Sequence, residues 1–289
     1  MISLITLSNG HSLEYVAASG ALGYDGKGWF WERWLVRLGI INPLVFTVVT
    51  KTLTRWPRQG NFRWWNPFRV IAIRWNYIVN AVGLKNKGVE WWCKKIGPKV
   101  NRLKIALVVS IYSESISELV EMAKMLNPFD LVGIELNLSC PSVRKMPDAG
   151  FIVAACREVK KVSRHPLFAK LSVAQDYKQF IRELERIGVE AININSVPWE
   201  VIFPKKKSPL ARFGGGGVSG KVTQPIVWPF IMDIVRQTRI PVIGSAIWDY
   251  GDMAAVRRMG AKAVSFGSVF MPYPWRPASF VKKEMEKKK

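Results

Sequence analysis

Ile105-Ala-Leu-Val-Val-Ser-Ile111, the segment Glu114 to Leu126, and Val132-Gly-Ile-Glu-Leu-Asn-Leu138 follow one another in the middle of the chain. The first and third are short apolar runs rich in β-branched residues, the length of buried strands. The second carries Ile116, Leu119, Val120, Ala123 and Leu126 at helix-face spacing. A strand, a helix and a second strand in that order predict a parallel βαβ unit. The pattern extends in both directions. Strands are predicted at Tyr15–Ala18, Val45–Thr50, Leu167–Leu171, Ala191–Asn195, Val242–Gly244 and Ala263–Phe266. Helical patterns recur at Asp176 to Ile187, closed by Gly188, at Pro225 to Thr238, and at Tyr250 to Met259, closed by Gly260. Eight strands in such alternation predict closure into one α/β domain, a (β/α)8 TIM barrel spanning residues 1–289, for which roughly 250 residues is typical.

Two stretches interrupt the alternation. Arg55 to Asn76, rich in Trp, Arg, Pro and Asn, is too irregular for a helix and reads as an excursion near 55–80 that holds a small hairpin. Pro198 to Gly217, with Lys205-Lys-Lys and Gly214-Gly-Gly-Gly, reads as a long flexible loop at the functional face. The tail from Lys282 reads as a solvated basic end.

Composition narrows the chemistry. Three cysteines (Cys93, Cys140, Cys156) without CxxC spacing describe neither a disulfide scaffold nor a zinc site. Free thiols point to a reducing compartment, the cytoplasm. With only His11 and His165, a His-based triad or a His-rich metal site is not expected. No run of about 18 apolar residues predicts a membrane span, and Met1-Ile-Ser-Leu-Ile-Thr-Leu has no signal-peptide pattern. The net charge of +22, from 43 Lys plus Arg against 21 Asp plus Glu, attracts anions in general. For Lys85 to Lys104, a helix with Trp inward and Lys outward is preferred over contact with nucleic acid or membrane.

In a barrel of this type the chemistry sits where strands end. Those ends read Ser19-Gly20, Lys51, Asn137 to Cys140, Lys170, Asn195-Ser196, Gly244-Ser245 and Gly267-Ser268. A lysine there can pair with a bound anion or with negative charge on a cofactor ring. The glycine and serine ends of the seventh and eighth strands suit a phosphate held by backbone N–H groups, and Gly217-Val-Ser-Gly220 can complete the cradle. No GxGxxG follows an opening strand, so a mononucleotide is expected rather than a dinucleotide. Cys140 lacks a neighbouring His or Cys. That weakens the nucleophile and metal readings and leaves a base or a buried structural thiol. Cys93 and Cys156 are expected to be structural, on helices.

These residues resemble a known family. Ala18-Ser-Gly-Ala-Leu-Gly23, Val49-Thr-Lys-Thr-Leu-Thr54 with Arg58-Gln-Gly-Asn61, and Asn80-Ala-Val-Gly-Leu-Lys-Asn-Lys-Gly88 are similar to successive motifs of dihydroorotate dehydrogenase. So are Glu135-Leu-Asn-Leu-Ser-Cys-Pro141, Lys170, Asn195-Ser196 and Gly217-Val-Ser-Gly220. The resemblance implies an FMN-binding barrel that oxidises dihydroorotate to orotate in pyrimidine biosynthesis. Cys140 would take the C5 proton and FMN the C6 hydride, with Lys51 near both. Asn80, Val82, Gly83, Leu84, Asn137, Ser142, Asn195 and Ser196 would line the substrate. Ser19, Gly20, Lys51, Lys170, Gly220, Gly244, Ser245, Gly267 and Ser268 would hold FMN. A cysteine base implies class 1, usually a homodimer, and Gly216-Gly-Val-Ser-Gly220 resembles the NAD-linked subgroup, which pairs with an iron–sulfur flavoprotein subunit.

The sequence departs from the family pattern in three places. Ser142 stands where Asn usually follows Cys-Pro, Ile243-Gly-Ser-Ala-Ile247 is one residue shorter than the usual phosphate loop, and 62–76 and 205–212 are unusually rich in Trp, Arg and Lys. Two other readings remain: FMN-dependent reduction of another pyrimidine, including tRNA dihydrouridine synthase-like activity, or a flavin-binding homologue without catalysis. No RNA-binding domain follows the barrel, and nucleic acid is not the expected partner.

Overall fold

β-branched and leucine-rich segments this short hide both faces only inside a parallel sheet covered by helices. The computed structural model describes residues 4–139 and 146–288, without the side chains at 102 and 103. It builds that sheet from β1 (Tyr15–Ala17), β2 (Thr47–Val49), β3 (Ala106–Ile111), β4 (Gly133–Asn137), β5 (Leu167–Leu171), β6 (Ala191–Ile194), β7 (Ile243–Gly244) and β8 (Ala263–Phe266). The hydrogen-bonded order runs β6-β5-β4-β3-β2-β1-β8-β7, and every pairing is parallel. A parallel bridge from Ile192 to Val242 joins β6 to β7, and Ile192 N–H donates to Pro241 O at 3.0 Å. That contact closes the ring.

Helices Ile116–Leu126, Ala149–Val162, Ile181–Ile187, Gln224–Gln237 and Tyr250–Arg258 lie between successive strands. Their inward faces and the outward strand residues form the largest apolar cluster, with Leu119, Ala123, Ile152, Cys156, Leu184, Ile231 and Val256 all buried. Asp148 caps the Ala149–Val162 helix by accepting from Phe151 N–H at 2.8 Å. Trp92, on helix Val89–Lys95, is fully buried while Lys94 and Lys95 are exposed, the arrangement expected for that segment.

A short hairpin, Ile5–Thr6 with Ser12–Leu13, seals the N-terminal end of the barrel. Ile5, Leu7 and Leu13 pack with Val16, Val108, Phe168 and Ile243 from the strands. Asn9 donates to the carbonyls of Leu131 and Val132 just before β4.

The two interruptions of the alternation meet. Val197–Pro198, Gly217–Gly220, Tyr77–Asn80 and Ile71–Ile73 form one antiparallel sheet in that order. Its strands leave the barrel after β2 and β6, so the sheet lies on the C-terminal side. The hairpin expected within 55–80 is therefore half of a lid. The segment 198–217, expected to be a flexible loop, is ordered. Trp199 and Leu210 are buried with Val79 and Val218, Trp199 Nε1 donates to Lys206 O at 2.6 Å, and Ser208 Oγ donates to Gly215 O. The tail keeps Lys282, Lys283, Lys287 and Lys288 exposed, the solvated basic end expected, while the helix that carries it is docked. Helix Arg276–Glu286 buries Val281, Glu284 accepts from Tyr15 OH at 2.6 Å and from Arg257, and Lys288 reaches Glu14 and Tyr15 OH. Its alternation of apolar and basic residues is that of a docked amphipathic helix.

Candidate active site

Parallel strands that end together bring together whatever polar residues terminate them. Ser19 follows β1; its Oγ donates to Thr50 O at 2.8 Å and lies 3.1 Å from Thr52 Oγ1, beyond the end of β2. Thr52 Oγ1 accepts from Asn137 Nδ2 on β4 at 3.2 Å. Ser139 Oγ donates to Asn137 Oδ1 at 3.3 Å, and Asn195 Nδ2, beyond β6, donates to Ser139 O at 2.9 Å. Asn195 Oδ1 in turn accepts from Ser196 N–H at 2.8 Å. Residues at the ends of β2, β4 and β6 are thus linked by hydrogen bonds, with Ser19, beyond β1, lying against Thr52.

A second branch runs beneath it. Thr52 Oγ1 lies 3.0 Å from Ser110 Oγ, which donates to Glu135 Oε1 at 2.9 Å. Ser110 uses its proton there, so Thr52 is the donor in the first contact. Asn193 Nδ2 donates to Glu135 Oε2 at 3.1 Å, and Lys170 Nζ lies 3.9 Å from Glu135 Oε1. Glu135 has no exposed surface and Lys170 is 7% exposed. A buried cation needs a buried counter-charge, and Glu135 supplies it. Sequence reading quoted Glu135 within a motif but gave it no role, and it passed over Ser110, Thr52 and Asn193. The available signal was a carboxylate and an amide interrupting strands otherwise apolar on both faces.

Around this network stand the remaining predicted residues. Lys51 is half-buried beyond β2, with its N–H on Gly23 O at 2.8 Å. Its stem passes so close to Gly20 that a Cβ there would meet Lys51 Cδ at 3.1 Å. Asn80 ends the Tyr77–Asn80 strand opposite Gly217, which brings the lid to the strand ends. Val82, Gly83 and Leu84 follow it, and Leu84 holds a left-handed φ of 55°, a strained conformation for a branched residue and one that gathers at functional positions. Gly220 is closed in on every side, since a Cβ would lie 2.7 Å from Asn76 O and 3.0 Å from the Trp248 ring.

At β7 and β8, Ser245, Ala246, Gly267 and Ser268 are half-buried. Among the described residues, none of their backbone N–H groups donates to another protein group. Four donors without acceptors at a rim of small residues suit the oxygens of a phosphate, so the residues present fit the phosphate end of a mononucleotide. Gly244 carries a packing constraint beside the role expected of it. A Cβ there would strike Val256 at 2.7 Å and Ala261 at 2.9 Å, so its missing side chain serves helix–strand packing.

Cys140 and Ser142 lie outside the described residues. The other two thiols are chemically quiet: burial pushes Cys93 up to about 11 and Cys156 up to about 12.

The β1 loop carries one further titratable group. Trp29 Nε1 donates to Gly20 O at 2.9 Å, and Trp29 N–H donates to Glu32 Oε2 at 2.9 Å. Burial pushes the Glu32 carboxyl up to about 7, only partly offset by the Trp29 N–H. The folded state therefore keeps this proton up to about pH 7, whereas the unfolded chain releases it near pH 4.5. Stability from this group is complete below pH 4.5 and falls as pH rises to 7, by about 3 kcal/mol at most. Glu32→Gln is expected to flatten thermal stability between about pH 5 and 8; an unchanged slope would remove Glu32 as its source.

A family model described as dihydroorotate dehydrogenase matches residues 37–288. The chain is 32% identical over 268 residues to the catalytic subunit of dihydroorotate dehydrogenase B (NAD(+)) from Endomicrobium trichonymphae, covering 90% of this chain and 83% of that one. It is 29% identical over 262 residues to the protein of the same name from Bacteroides thetaiotaomicron, covering 88% and 82%. In three dimensions it resembles ligand-free dihydroorotate dehydrogenase from Eimeria tenella, with a TM-score of 0.76 over 98% of this chain and 86% of that one, at 16% identity. That last likeness concerns the fold.

Proposed function

The chain belongs to the dihydroorotate dehydrogenase family, and from that premise we propose that it oxidises dihydroorotate to orotate in pyrimidine synthesis, as one barrel domain carrying FMN. The observation that carries the reading is the hydrogen-bonded set of strand-end groups Thr52, Asn137, Ser139 and Asn195, with Ser19 against Thr52, in a chain matched by the family over residues 37–288.

Bound FMN supplies the acceptor for the hydride that leaves the substrate. The protein's own residues do the rest. Gly20, Ser245, Gly267 and Ser268 offer backbone and small side chains to the cofactor, with Ser19 and Gly220 beside them, and Gly244 joins them under its packing constraint. Lys51 and Lys170 bring positive charge to a site that must hold a phosphate and an electron-rich ring. The pyrimidine ring presents alternating N–H and C=O groups, and Asn80, Asn137 and Asn195 each carry a donor and an acceptor on one planar group. Ser196 and the Val82–Leu84 turn complete that wall. Cys140 takes the ring proton, and Ser142 reaches less far than the amide usual at its position. The hydrogen bonds of Asn137 and Asn195 hold both amides before substrate arrives, so less ordering remains at binding.

The relatives named as catalytic subunits of an NAD(+) enzyme support a class 1, NAD-linked assignment. In it this chain forms a homodimer and passes electrons to a separate iron–sulfur flavoprotein subunit. Free thiols at Cys93 and Cys156 support a cytoplasmic setting. Among the described residues, no helix is long and apolar enough to cross a membrane.

The test is an anaerobic titration of the purified yellow protein with dihydroorotate. The oxidised flavin absorbance is expected to bleach stoichiometrically. Bound flavin that stays yellow under excess dihydroorotate would overturn the substrate assignment.

A further inference from the structure

From residue 33 to residue 89 the chain has ten Lys and Arg and no Asp or Glu, and from 201 to 232 it has five Lys and Arg and again no Asp or Glu. The lid joins these two carboxylate-free segments in one sheet. Its outer surface is correspondingly unneutralised. Arg69, Arg74 and Arg212 are exposed, and among the described residues none of them pairs with a carboxylate. Arg69 and Arg212 both lie over the Phe213 ring, at 5.3 and 4.8 Å, and Arg212 also reaches Arg69 O, so the two halves of the lid share one cationic surface.

Large apolar side chains stand out of the same surface. Trp64 and Phe68 are each 72% exposed, Trp65 is 67% exposed, and Trp75, at the turn of the Ile71–Asn80 hairpin, is 86% exposed. Ile73 joins them. A cleft of about 350 Å³ runs between Phe68–Arg74 and Pro209–Arg212. Nothing in the proposed reaction uses this surface. Hydrophobic side chains exposed together at this scale mark a contact surface, and their chemistry limits the partner. Tryptophan settles at the headgroup level of a bilayer, and clustered cations are drawn to anionic lipid. A single-stranded nucleic acid would instead want a row of parallel rings, but Trp64 and Trp65 meet edge to face, with 88° between their planes.

We propose that the outer surface of the lid docks on anionic lipid bilayers, with Trp64, Trp65, Phe68 and Trp75 entering the interface and Arg69, Arg74 and Arg212 meeting the headgroups. The contact is peripheral and electrostatic, and it places the barrel mouth close to the membrane surface.

The experiment sediments the full-length protein with vesicles of phosphatidylglycerol and phosphatidylcholine in equal parts, and with phosphatidylcholine alone. Binding to the anionic vesicles only, a blue shift of tryptophan emission, and release when salt is raised from about 0.1 M to 1 M are expected. The combined substitution Arg69→Ser, Arg74→Ser, Arg212→Ser is expected to lower the partition coefficient about a hundredfold, near fivefold for each cation. Dihydroorotate-dependent flavin bleaching in bulk solution should stay unchanged. Trp75→Ser is expected to weaken binding and reduce the blue shift.

Equal binding to neutral vesicles, no binding to either, or full binding by the triple variant would overturn the proposal. So would a single-stranded oligonucleotide that binds through this surface while vesicles do not, or a dimer in which a second copy covers it. The lipid and salt arms use the unmodified protein, so they decide the question even if a variant misfolds.

Discussion

Replacing Cys140 with alanine is expected to leave FMN bound and to slow flavin reduction by dihydroorotate by about 10²- to 10⁴-fold, the range that a positioned general base contributes. Among the described residues, neither of the other thiols and neither histidine is placed to take over. Cys93 and Cys156 are held as neutral thiols by burial and sit on helices outside the ring of strands. The two histidines lie at the opposite end: His11 bonds Thr47 at the start of β2, and His165 bonds Leu126 O ahead of β5. Cys140→Ser retains a proton acceptor, a weaker one at neutral pH, and is expected to fall between alanine and the parent. Stopped-flow reduction under anaerobic conditions measures all three. A Cys140→Ala protein reduced at the parent rate would refute the base assignment while leaving cofactor binding intact.

Glu135→Leu is expected to lower the free energy of unfolding by about 3–5 kcal/mol, the cost of removing one partner from a buried charge pair. The loss is spread over three neighbours. Ser110 Oγ, Asn193 Nδ2 and Lys170 Nζ all turn toward the Glu135 carboxylate, and leucine offers none of them an acceptor. Glu135→Gln keeps the shape and an acceptor for one of the two donors, Ser110 or Asn193, but sets its NH2 against the other and loses the charge, so it should cost less in stability than leucine. It should still weaken FMN retention if Lys170 is held in place by that charge. Denaturant titration gives the first quantity and flavin release the second. A Glu135→Leu protein within about 1 kcal/mol of the parent would show that the network is solvated.

All eight strands were legible in the sequence because short apolar runs of three to seven residues, most of them β-branched, are a local signal. Their polar last residues, Asn137, Lys170 and Asn195 among them, stood out against that background. What escaped reading was non-local. Nothing in Tyr77–Asn80 announces that its partner lies at Gly217–Gly220, some 140 residues away, so the lid looked like two unrelated loops. Glu135 reads as an ordinary strand residue until Ser110, Lys170 and Asn193 arrive from three other strands.

Because the N-terminal hairpin stops up the far end of the ring, the strand-end site opens on the side of the lid. The sheet beside that opening is stitched from chain made early and chain made late. During synthesis, then, the Ile71–Asn80 hairpin waits for its neighbour until Gly220 has cleared the ribosome. Ser245, Gly267 and Ser268 emerge later still, so the lid's strands are all made before the ring they cover can close.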